Sequence, residues 1–557
     1  MSESAMVCAS RTITVAPGVF AAGHLGELTS VVPFELVDAV LEATGCVQQR
    51  VRMLPSRVGV YVVLAMVLFP EVGLSGVWSH LTGAMRGLPK IAVPAPSGKA
   101  LRDLRRRVSV APIRSLFEHL AGPTSWPGMP GCRYRGLRMV AIDGCSSFKA
   151  PDTSRNRAVF RIGRRRSGSD GWPGVQLLAL AECGTRALLG ATVTALSVGE
   201  IPAAAALWAR LDASMLLLAD AAFDADKVMA AIAGRQAQFL IRVNAVRKPA
   251  VLAVLPDGSF LTRIGGLRLR VIDAQISITG ADGTQVTGRW RLVTTLTDHR
   301  TDPAKALVQL YHQRWEIETC FFGLRHTLTG RTVLRSGDPF GIAQEMWALA
   351  CIWQILHIVM TDAAATRPGL DPDRCSVTVA LAAARDSVIR AEHIAGHPDP
   401  LHGDIATAIL DQPLDARRPR IAARVLKAPG SRYPKHRPAD PRPARGTAIQ
   451  AIDTVIAAPA TPATCDRPDP ALTNALRTRH PAMSHHMIYA LAILHTHPGQ
   501  PHQARQLARA LGITGWDPLN AIGVALNTAA RRGHITKCAP GTYTITTEQA
   551  LTPPPNP

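Results

Sequence analysis

The sequence predicts an α/β fold, with helical segments before and after its sheet. Short apolar runs at residues 138–144 (RMVAIDG) and 214–220 (SMLLLAD) are typical of buried strands. Apolar residues at helical spacing precede these strands, and a long apolar run at 342–360 follows them. With 557 residues and 47% hydrophobic content, the chain can hold several structural units, each with its own core.

The first part of the chain is predicted to be helical. Residues 1–22 are expected to form a loose arm, and residues 23–125 a helical domain. Its helices are predicted at 33–44, 58–69 and 75–85. The basic run at 102–107 (RDLRRR) suits contact with phosphates, although a solvated helix face explains it about as well.

The next unit is predicted at 126–415, and two acids mark the ends of its strands. Asp143 and Asp220 each stand at the end of one of the two short apolar runs. Because ligands of α/β sheets are held at strand ends, both carboxylates have positions that suit a functional site. A strand-terminal Asp also caps turns, and for either residue alone that structural explanation has about equal weight.

A third acid lies on a predicted helix at 310–318 (LYHQRWEIE). Tyr311, Arg314 and Glu318 are spaced at i, i+3 and i+7, so they share one helix face. A phenol, a guanidinium and a carboxylate on one face suit phosphate and a divalent metal better than a core. Three carboxylates from separate elements also fit Mg²⁺, which takes few protein ligands.

These residues resemble the DDE transposases of the insertion sequence 4 family. The family signature Y-x2-R-x3-E-x6-K is matched by Tyr311, Arg314, Glu318 and Arg325. Asp143 and Asp220 stand at the places of the family's two aspartates, and the match covers roughly residues 20–440. One position departs, because the family's lysine is Arg325 here. A planar guanidinium keeps the positive charge but changes the geometry of a phosphate contact.

The resemblance implies a ribonuclease H-like catalytic core with a β-rich insertion at about 235–300, and a DNA-end-binding role for the helical domain. It implies that Asp143, Asp220 and Glu318 are the catalytic residues and hold two divalent metal ions, Mg²⁺ with Mn²⁺ able to substitute. The residues expected to contact phosphates of the transposon end are Tyr311, Arg314 and Arg325. The implied partners are double-stranded DNA, as terminal inverted repeats and target, and a second copy in a homodimeric synaptic complex.

Trp290 lies on a predicted strand of the insertion, shortly before Tyr311. It matches a tryptophan that hairpin-forming relatives of the family stack on a flipped base. An indole is a sequence-tolerant stacking surface worth ~1–3 kcal/mol per base. The alternative is a strand tryptophan packed in the core.

Arginines are concentrated after Asp143. Arg164, Arg165 and Arg166 belong to a run of arginines at 155–166 that contains no acid. So much like charge requires a polyanion or water, which predicts that this loop faces phosphate. Further strands are predicted at 175–195, 238–243, 259–264, 267–272, 275–279 and 289–295.

Residues 416–470 are predicted to be a linker, because 416–446 are rich in Pro, Lys and Arg and cannot bury a core. Beyond it, residues 471–557 are expected to resemble a winged helix-turn-helix. Its helices are predicted at 487–495, 501–512 and 518–532, with a hairpin at 533–545. A small helical domain for protein contacts is the alternative.

Composition narrows the class of protein. A formal net charge of +21 and a sequence pI near 10.3 favour a polyanionic partner. Apolar runs shorter than a membrane span, and an N-terminus without a leader pattern, predict a cytoplasmic, nucleoid-associated protein. The cysteines show no CxxC spacing, so no zinc site is expected.

The sequence therefore predicts a DNA transposase that moves an insertion sequence by a cut-and-paste route. Metal-dependent cleavage of phosphodiesters at the element ends would be followed by strand transfer into target DNA. Two alternatives remain open. An inactive or host-adapted copy could act as a DNA-binding regulator through the C-terminal segment, and a stand-alone nuclease would cleave DNA without recognising paired ends.

Overall fold

The computed structural model describes two compact units, Met1–Ala457 and Ala458–Pro557. The described residues are 24–50, 53–86, 93–160, 171–244, 247–280, 283, 285–391, 403–416, 449–459, 470–481, 483–510 and 516–546. The predicted arm at 1–22 and nearly all of the basic part of the predicted linker lie outside them, as do Arg164, Arg165 and Arg166.

Helices form the N-terminal part of the first unit. They are α1 (Phe34–Ala43), α2 (Ser56–Leu68), α3 (Leu74–Thr82), α4 (Gly98–Val108) and α5 (Ala111–Leu120). The predicted helices coincide with α1, α2 and α3, and α2 is buried along almost its whole length. Ser97 caps α4, since its hydroxyl accepts a hydrogen bond from the backbone N–H of Ala100 at 3.2 Å, and the apolar face of α4 is buried.

A large mixed sheet forms the centre of the first unit. Its first strands are β1 (Arg133–Tyr134), β2 (Leu137–Lys149), β3 (Gly174–Glu182), β4 (Leu188–Ala195), β5 (Met215–Ala219) and β6 (Gln238–Arg242). β2, β3 and β4 are antiparallel neighbours, whereas β5 runs parallel to β2 and β6 parallel to β5. Short helices α6 (Ser154–Val159), α7 (Glu200–Ala204) and α8 (Asp226–Gly234) join these strands. The order β4-β3-β2-β5-β6 puts β2 at the middle.

Antiparallel strands extend this sheet beyond β6. They are β7 (Ala253–Val254), β8 (Phe260–Ile264), β9 (Leu267–Gly280) and β10 (Gln285–Thr294), in the order β10-β9-β8-β7. β10 pairs with β6, so the segment predicted as an insertion continues the central sheet. The runs at 267–272 and 275–279, predicted as two strands, form the single strand β9, because Asp273 and Ala274 continue the ladder with β10.

One strand comes from the segment predicted to be a linker. β11 (Ile449–Ile456) pairs antiparallel with β9, from Ala274 to Gly280. β-branched residues are frequent in this stretch (IQAIDTVI), and they are the local signal for a strand. The predicted linker at 416–470 is therefore interrupted by a sheet strand.

Helices after β10 complete the first unit. They are α9 (Ala304–Tyr311), α10 (Glu316–Phe322), α11 (Pro339–Ala365), α12 (Val377–Arg390) and α13 (Asp404–Asp411). Asp338 caps α11 by accepting from the N–H of Gly341 at 3.0 Å. α11 is long and apolar enough to cross a membrane by length and composition, but 78% of its most apolar window is buried inside the protein. It is therefore the core helix against which α2 and α5 pack.

The second unit is smaller and also mixed. It contains α14 (Pro470–Arg479), α15 (His485–Thr496), α16 (Ala504–Ala510) and α17 (Trp516–Arg531) with strands β12 (His502–Gln503), β13 (Thr536–Ala539) and β14 (Thr542–Thr544). The strands pair in the order β12-β14-β13. The predicted helices and hairpin coincide with α15 to α17 and with β13 and β14. α14 and β12 were not predicted.

Candidate active site

The sheet brings the first two predicted acids together. β2 and β5 are adjacent and parallel, and their register pairs Ala141 with Leu218. Two residues after this pair, Asp143 on β2 lies near Asp220, the residue that directly follows β5. β2 does not end at Asp143 as predicted but continues to Lys149, with an irregular register between Cys145 and Phe148.

Asp220 directly follows β5 and begins a short 3-10 turn. Its side chain accepts a hydrogen bond from the N–H of Ala222 at 2.8 Å. The turn-capping explanation therefore holds for Asp220, and it is compatible with a place in the site. The capping bond fixes the direction of the carboxylate.

The signature helix is not continuous. α9 ends at Tyr311, a 3-10 turn spans His312–Trp315, and α10 begins at Glu316. Tyr311 is buried, and its hydroxyl donates to the backbone carbonyl of Ala219 at 3.0 Å. The prediction that this face is not part of a core is therefore wrong for Tyr311, because its ring packs against the sheet. The bond nevertheless connects the helix to the residue that precedes Asp220.

Arg314 joins two of the three acids. Its guanidinium lies 3.3 Å from Oδ2 of Asp143 and donates to Oε1 of Glu318 at 2.9 Å. The Arg314 side chain is only 4% exposed, whereas that of Glu318 is 34% exposed. A buried guanidinium between two carboxylates offsets their mutual repulsion. Arg314 thus occupies the space between acids contributed by the sheet and by α10.

The surroundings of Asp143 disfavour its charged form. Burial raises the pKa of Asp143 to about 7; Arg314 opposes this shift, and Asp220 and Glu318 add to it. Its Oδ1 also accepts from the N–H of Gly144 at 2.8 Å. Perturbed carboxyl groups of this kind are typical of functional sites.

A fourth carboxylate, Glu200, lies beside the site and was not predicted. A Cβ at Gly144 would come within 2.4 Å of its Oε1, so a larger residue next to Asp143 would have to displace this carboxylate. Burial, and then the charge of Asp220, raise the pKa of Glu200. Glu200 is the first residue of α7, far from the signature in sequence, and no local pattern indicates its position.

The donor set fits a hard divalent cation. Within the described ranges, no three His, Cys, Asp or Glu side chains are grouped closely enough to hold an ion as they are now arranged. The guanidinium of Arg314 lies between Asp143 and Glu318. Carboxylate oxygens are the ligands that Mg²⁺ and Mn²⁺ prefer.

Trp290 lies against the signature helix. It is partly buried on β10, and its ring centroid is 5.3 Å from that of Tyr311 and 4.8 Å from that of His312. Burial lowers the pKa of His312 to about 4, so this imidazole is neutral near pH 7. Trp290 is thus packed against Tyr311 and His312 and remains partly exposed.

Arg325 lies beyond Glu318 in a π-helical turn, Gly323–Leu328, and is partly exposed.

The basic run at 102–107 on α4 has members with different environments. Arg105 is partly buried, with hydrogen bonds to Gln344 at 2.7 Å and Glu345 at 2.9 Å, whereas Arg106 is largely exposed. Part of this run therefore fixes α4 to α11, and only its exposed members can meet a polyanion.

A buried ion cluster supports the helix that carries Glu318. Arg186, in the turn between β3 and β4, donates to Glu316 at 2.8 Å and also pairs with Asp373. These three side chains are at most 6% exposed. The carbonyl of Arg186 accepts from the indole of Trp353 at 2.9 Å. The start of α10 is therefore fixed to the sheet and to the helices behind it, although no local sequence signal marks Arg186.

Two family models match the chain. The model of the Insertion element 4 transposase N-terminal domain matches residues 22–118, and the Transposase DDE domain matches residues 136–355. The second match contains all three acids. The chain is thus a DDE-type DNA transposase, an enzyme class that works with divalent metal ions.

A curated relative agrees with both models. The chain is 24% identical over 415 residues to the transposase InsG for insertion sequence element IS4 of Escherichia coli strain K12, covering 72% of this chain and 91% of the relative. The chain belongs to the insertion sequence 4 family of DDE transposases. Among solved structures, a piggyBac transposase synaptic complex with hairpin DNA has a TM-score of 0.37, with 12% identity, over 69% of this chain and 81% of that chain. At that score the likeness carries no argument.

Proposed function

We propose that this transposase moves an insertion sequence by a cut-and-paste route. It cleaves phosphodiester bonds at the element ends and joins the freed 3′ hydroxyl groups to target DNA. The observation that carries the proposal is the arrangement of three acids: Arg314 pairs with Asp143 and with Glu318, and Asp220 follows the strand that runs parallel to that of Asp143. Two acids come from adjacent parallel strands and the third from α10, and the guanidinium of Arg314 bridges the two sides.

A ribonuclease H-like core is proposed for β2 to β6. The strand order β4-β3-β2-β5-β6 supports it, with an antiparallel half and a parallel half that meet at β2. β7 to β10 then form the β-rich insertion between Asp220 and Glu318. The predicted domain limits at 23–125 and 126–415 belong to the same proposal.

Asp143, Asp220 and Glu318 would hold two Mg²⁺ ions, with Mn²⁺ able to substitute. When bound, the ions make water nucleophilic at neutral pH and stabilise charge on the phosphate. Arg314 must then release at least one carboxylate. Its guanidinium becomes a donor for a phosphate of the transposon end, a role that suits its planar, bidentate geometry.

The neighbouring residues have separate roles in this proposal. Tyr311 orients Asp220 through the carbonyl of Ala219 and reaches phosphate only after leaving that bond. Arg325 binds a transposon-end phosphate from the turn after Glu318, and Arg164 to Arg166 add to the phosphate-binding surface. The exposed side of Trp290 stacks on a base that is flipped out during hairpin formation.

The rest of the chain is assigned to DNA and assembly. The helical domain binds the element end, and the basic segment 416–446 lies along the DNA backbone. The second unit acts as a winged helix, which its helices and its small antiparallel sheet support. The active form is a homodimer in a synaptic complex, located in the cytoplasm at the nucleoid.

Alanine variants of the three acids test the proposal. Asp143→Ala, Asp220→Ala and Glu318→Ala should each lower Mg²⁺-dependent nicking of element-end DNA by about two orders of magnitude or more, because each removes a metal ligand. Binding of the same DNA should persist in a gel-shift assay. Glu118→Ala, an exposed acid on α5, is the control and should nick normally. Full nicking by any of the three variants would refute the assignment.

A further inference from the structure

An exposed aromatic side chain lies on the catalytic helix itself. Phe322 is 56% exposed and follows Glu318 by four residues on α10, so it lies one turn away on the same face. Single exposed apolar residues are common on protein surfaces. Phe322 differs from them because of what surrounds it.

A second ring lies beside Phe322. The ring of His326 is 4.3 Å from that of Phe322, centroid to centroid, with 36° between their planes. Arg331 donates from Nε to Nδ1 of His326. Nδ1 must therefore be the unprotonated nitrogen, and the imidazole is neutral in this arrangement. Two flat side chains thus form a short aromatic surface that continues from the acids.

The backbone after His326 is held in an unusual conformation. Gly330 and Arg331 both have left-handed backbone, with φ of 58° and 65°. Arg331 is not glycine, so this conformation is uncommon, and the N–H of Arg331 donates to the carbonyl of Arg325 at 2.9 Å to hold it. Segment Gly323–Leu328 is π-helical, another feature found often at functional sites. The turn brings the guanidinium of Arg331 onto His326, and Arg325 directly precedes His326 in the sequence.

Aromatic rings next to guanidinium groups are suited to binding nucleic acid. Aromatic faces bind bases by stacking, and guanidinium groups bind phosphates, so surfaces that alternate the two bind single-stranded nucleic acid. Burial, followed by the charges of Arg331 and Arg325, lowers the pKa of His326.

We propose that Phe322 and His326, flanked by Arg325 and Arg331, bind an unpaired base of the DNA strand that passes Glu318. The proposal rests on the assignment of the neighbouring acids as the cleavage site, and it adds a base-stacking surface separate from Trp290. Where the DNA at the cut is distorted and a base leaves its pair, such a surface would hold that base while the acids act on the backbone.

The test measures binding without cleavage. Full-length protein, with a chelator present, is titrated with a fully paired duplex and with the same duplex carrying three unpaired nucleotides at one end. 2-Aminopurine at the unpaired positions reports stacking by its fluorescence. Wild-type protein should prefer the unpaired end. Phe322→Ala should weaken binding of that end about 5- to 150-fold, the range expected for one stacked base, and leave binding of the paired duplex unchanged.

Two variants complete the design. Phe322→Trp should restore the preference, since an indole stacks well, and Phe340→Ala removes another exposed phenylalanine, 78% exposed on α11, and should change nothing. A preference that survives Phe322→Ala overturns the proposal. So does a loss of dimer in light scattering with unchanged DNA binding, which would make the surface a contact between two copies. Because no cleavage is measured, a failure of the metal site and a failure of this surface give different results.

Discussion

The raised pKa of Asp143 predicts that its neutral variant is more stable than the wild type when metal is absent. Asp143→Asn keeps the oxygen that accepts from the N–H of Gly144 but removes the buried negative charge. The pKa of about 7, against an ordinary value of 3.8, corresponds at 1.36 kcal/mol per pH unit to an upper limit of ~4 kcal/mol. The side chain of Asp143 is 16% exposed, so solvent screens part of this effect, and a gain of ~1–4 kcal/mol is expected at pH 8.

The pH dependence has a definite sign. Because the folded-state pKa is raised, protonation of Asp143 stabilises wild-type protein fully below about pH 4, and this contribution is lost as the pH rises through about 7. The advantage of Asp143→Asn should therefore be small near pH 4.5, grow towards pH 7 and then level off. Calorimetric unfolding of wild type and variant in EDTA at several pH values measures it.

Metal ions should reverse the order. Mn²⁺ or Mg²⁺ stabilises the state that binds it, so it should raise the melting temperature of the wild type and have little effect on Asp143→Asn. Glu118→Gln makes the same charge change on an exposed side chain and should be neutral throughout. If Asp143→Asn is less stable than wild type in EDTA at pH 8, the account of Asp143 as a strained buried acid is wrong.

Other parts of the chain carry three further predictions. Replacing the Lys and Arg residues of 417–445 with Gln should flatten the dependence of log K on log salt by about 0.9 for each phosphate that the segment no longer neutralises, and an unchanged slope would show that this segment does not touch DNA. Trp290→Ala should preserve first-strand nicking but reduce hairpin formation on a denaturing gel, with partial recovery in Trp290→Phe; a parallel loss of nicking and melting temperature would instead assign Trp290 to the core. Glu316→Gln should cost ~3–5 kcal/mol of stability, because it leaves a buried guanidinium with one anion fewer, and should raise the Mn²⁺ concentration needed for half-maximal binding. Glu345→Gln is the control for Glu316→Gln. It also removes a buried carboxylate, and it should lower the free energy of unfolding without changing Mn²⁺ binding.

The three candidate acids could be singled out from the sequence because each lies in a local strand or helix pattern. Asp143 and Asp220 can be predicted because each follows an apolar run of strand length, and β2 and β5 contain those runs. Glu318 is indicated by the spacing of its helix. Parallel pairing of the two strands then brings the acids together, as is common in α/β sheets.

Tertiary contacts decide the rest. Arg186 meets Glu316 from 130 residues away, and Glu200 comes to the site on a separate short helix, so neither has a local signal. The burial of Tyr311 depends on the 3-10 turn that follows it and on its bond to Ala219, which helical spacing alone does not predict. β11 was not predicted because the prolines and arginines before it dominate the composition of the predicted linker at 416–470.

The pairing of β11 with β9 changes what a protease would release. The second unit begins directly after β11, so its covalent attachment lies at the edge of the insertion and not at the end of α13. The basic residues 417–448 therefore join two points that are both fixed within the first unit. A cut anywhere in that stretch should leave a nicked protein whose two fragments copurify under native conditions and separate only on denaturation. A cut after Ala457 should instead leave β11 within the first fragment.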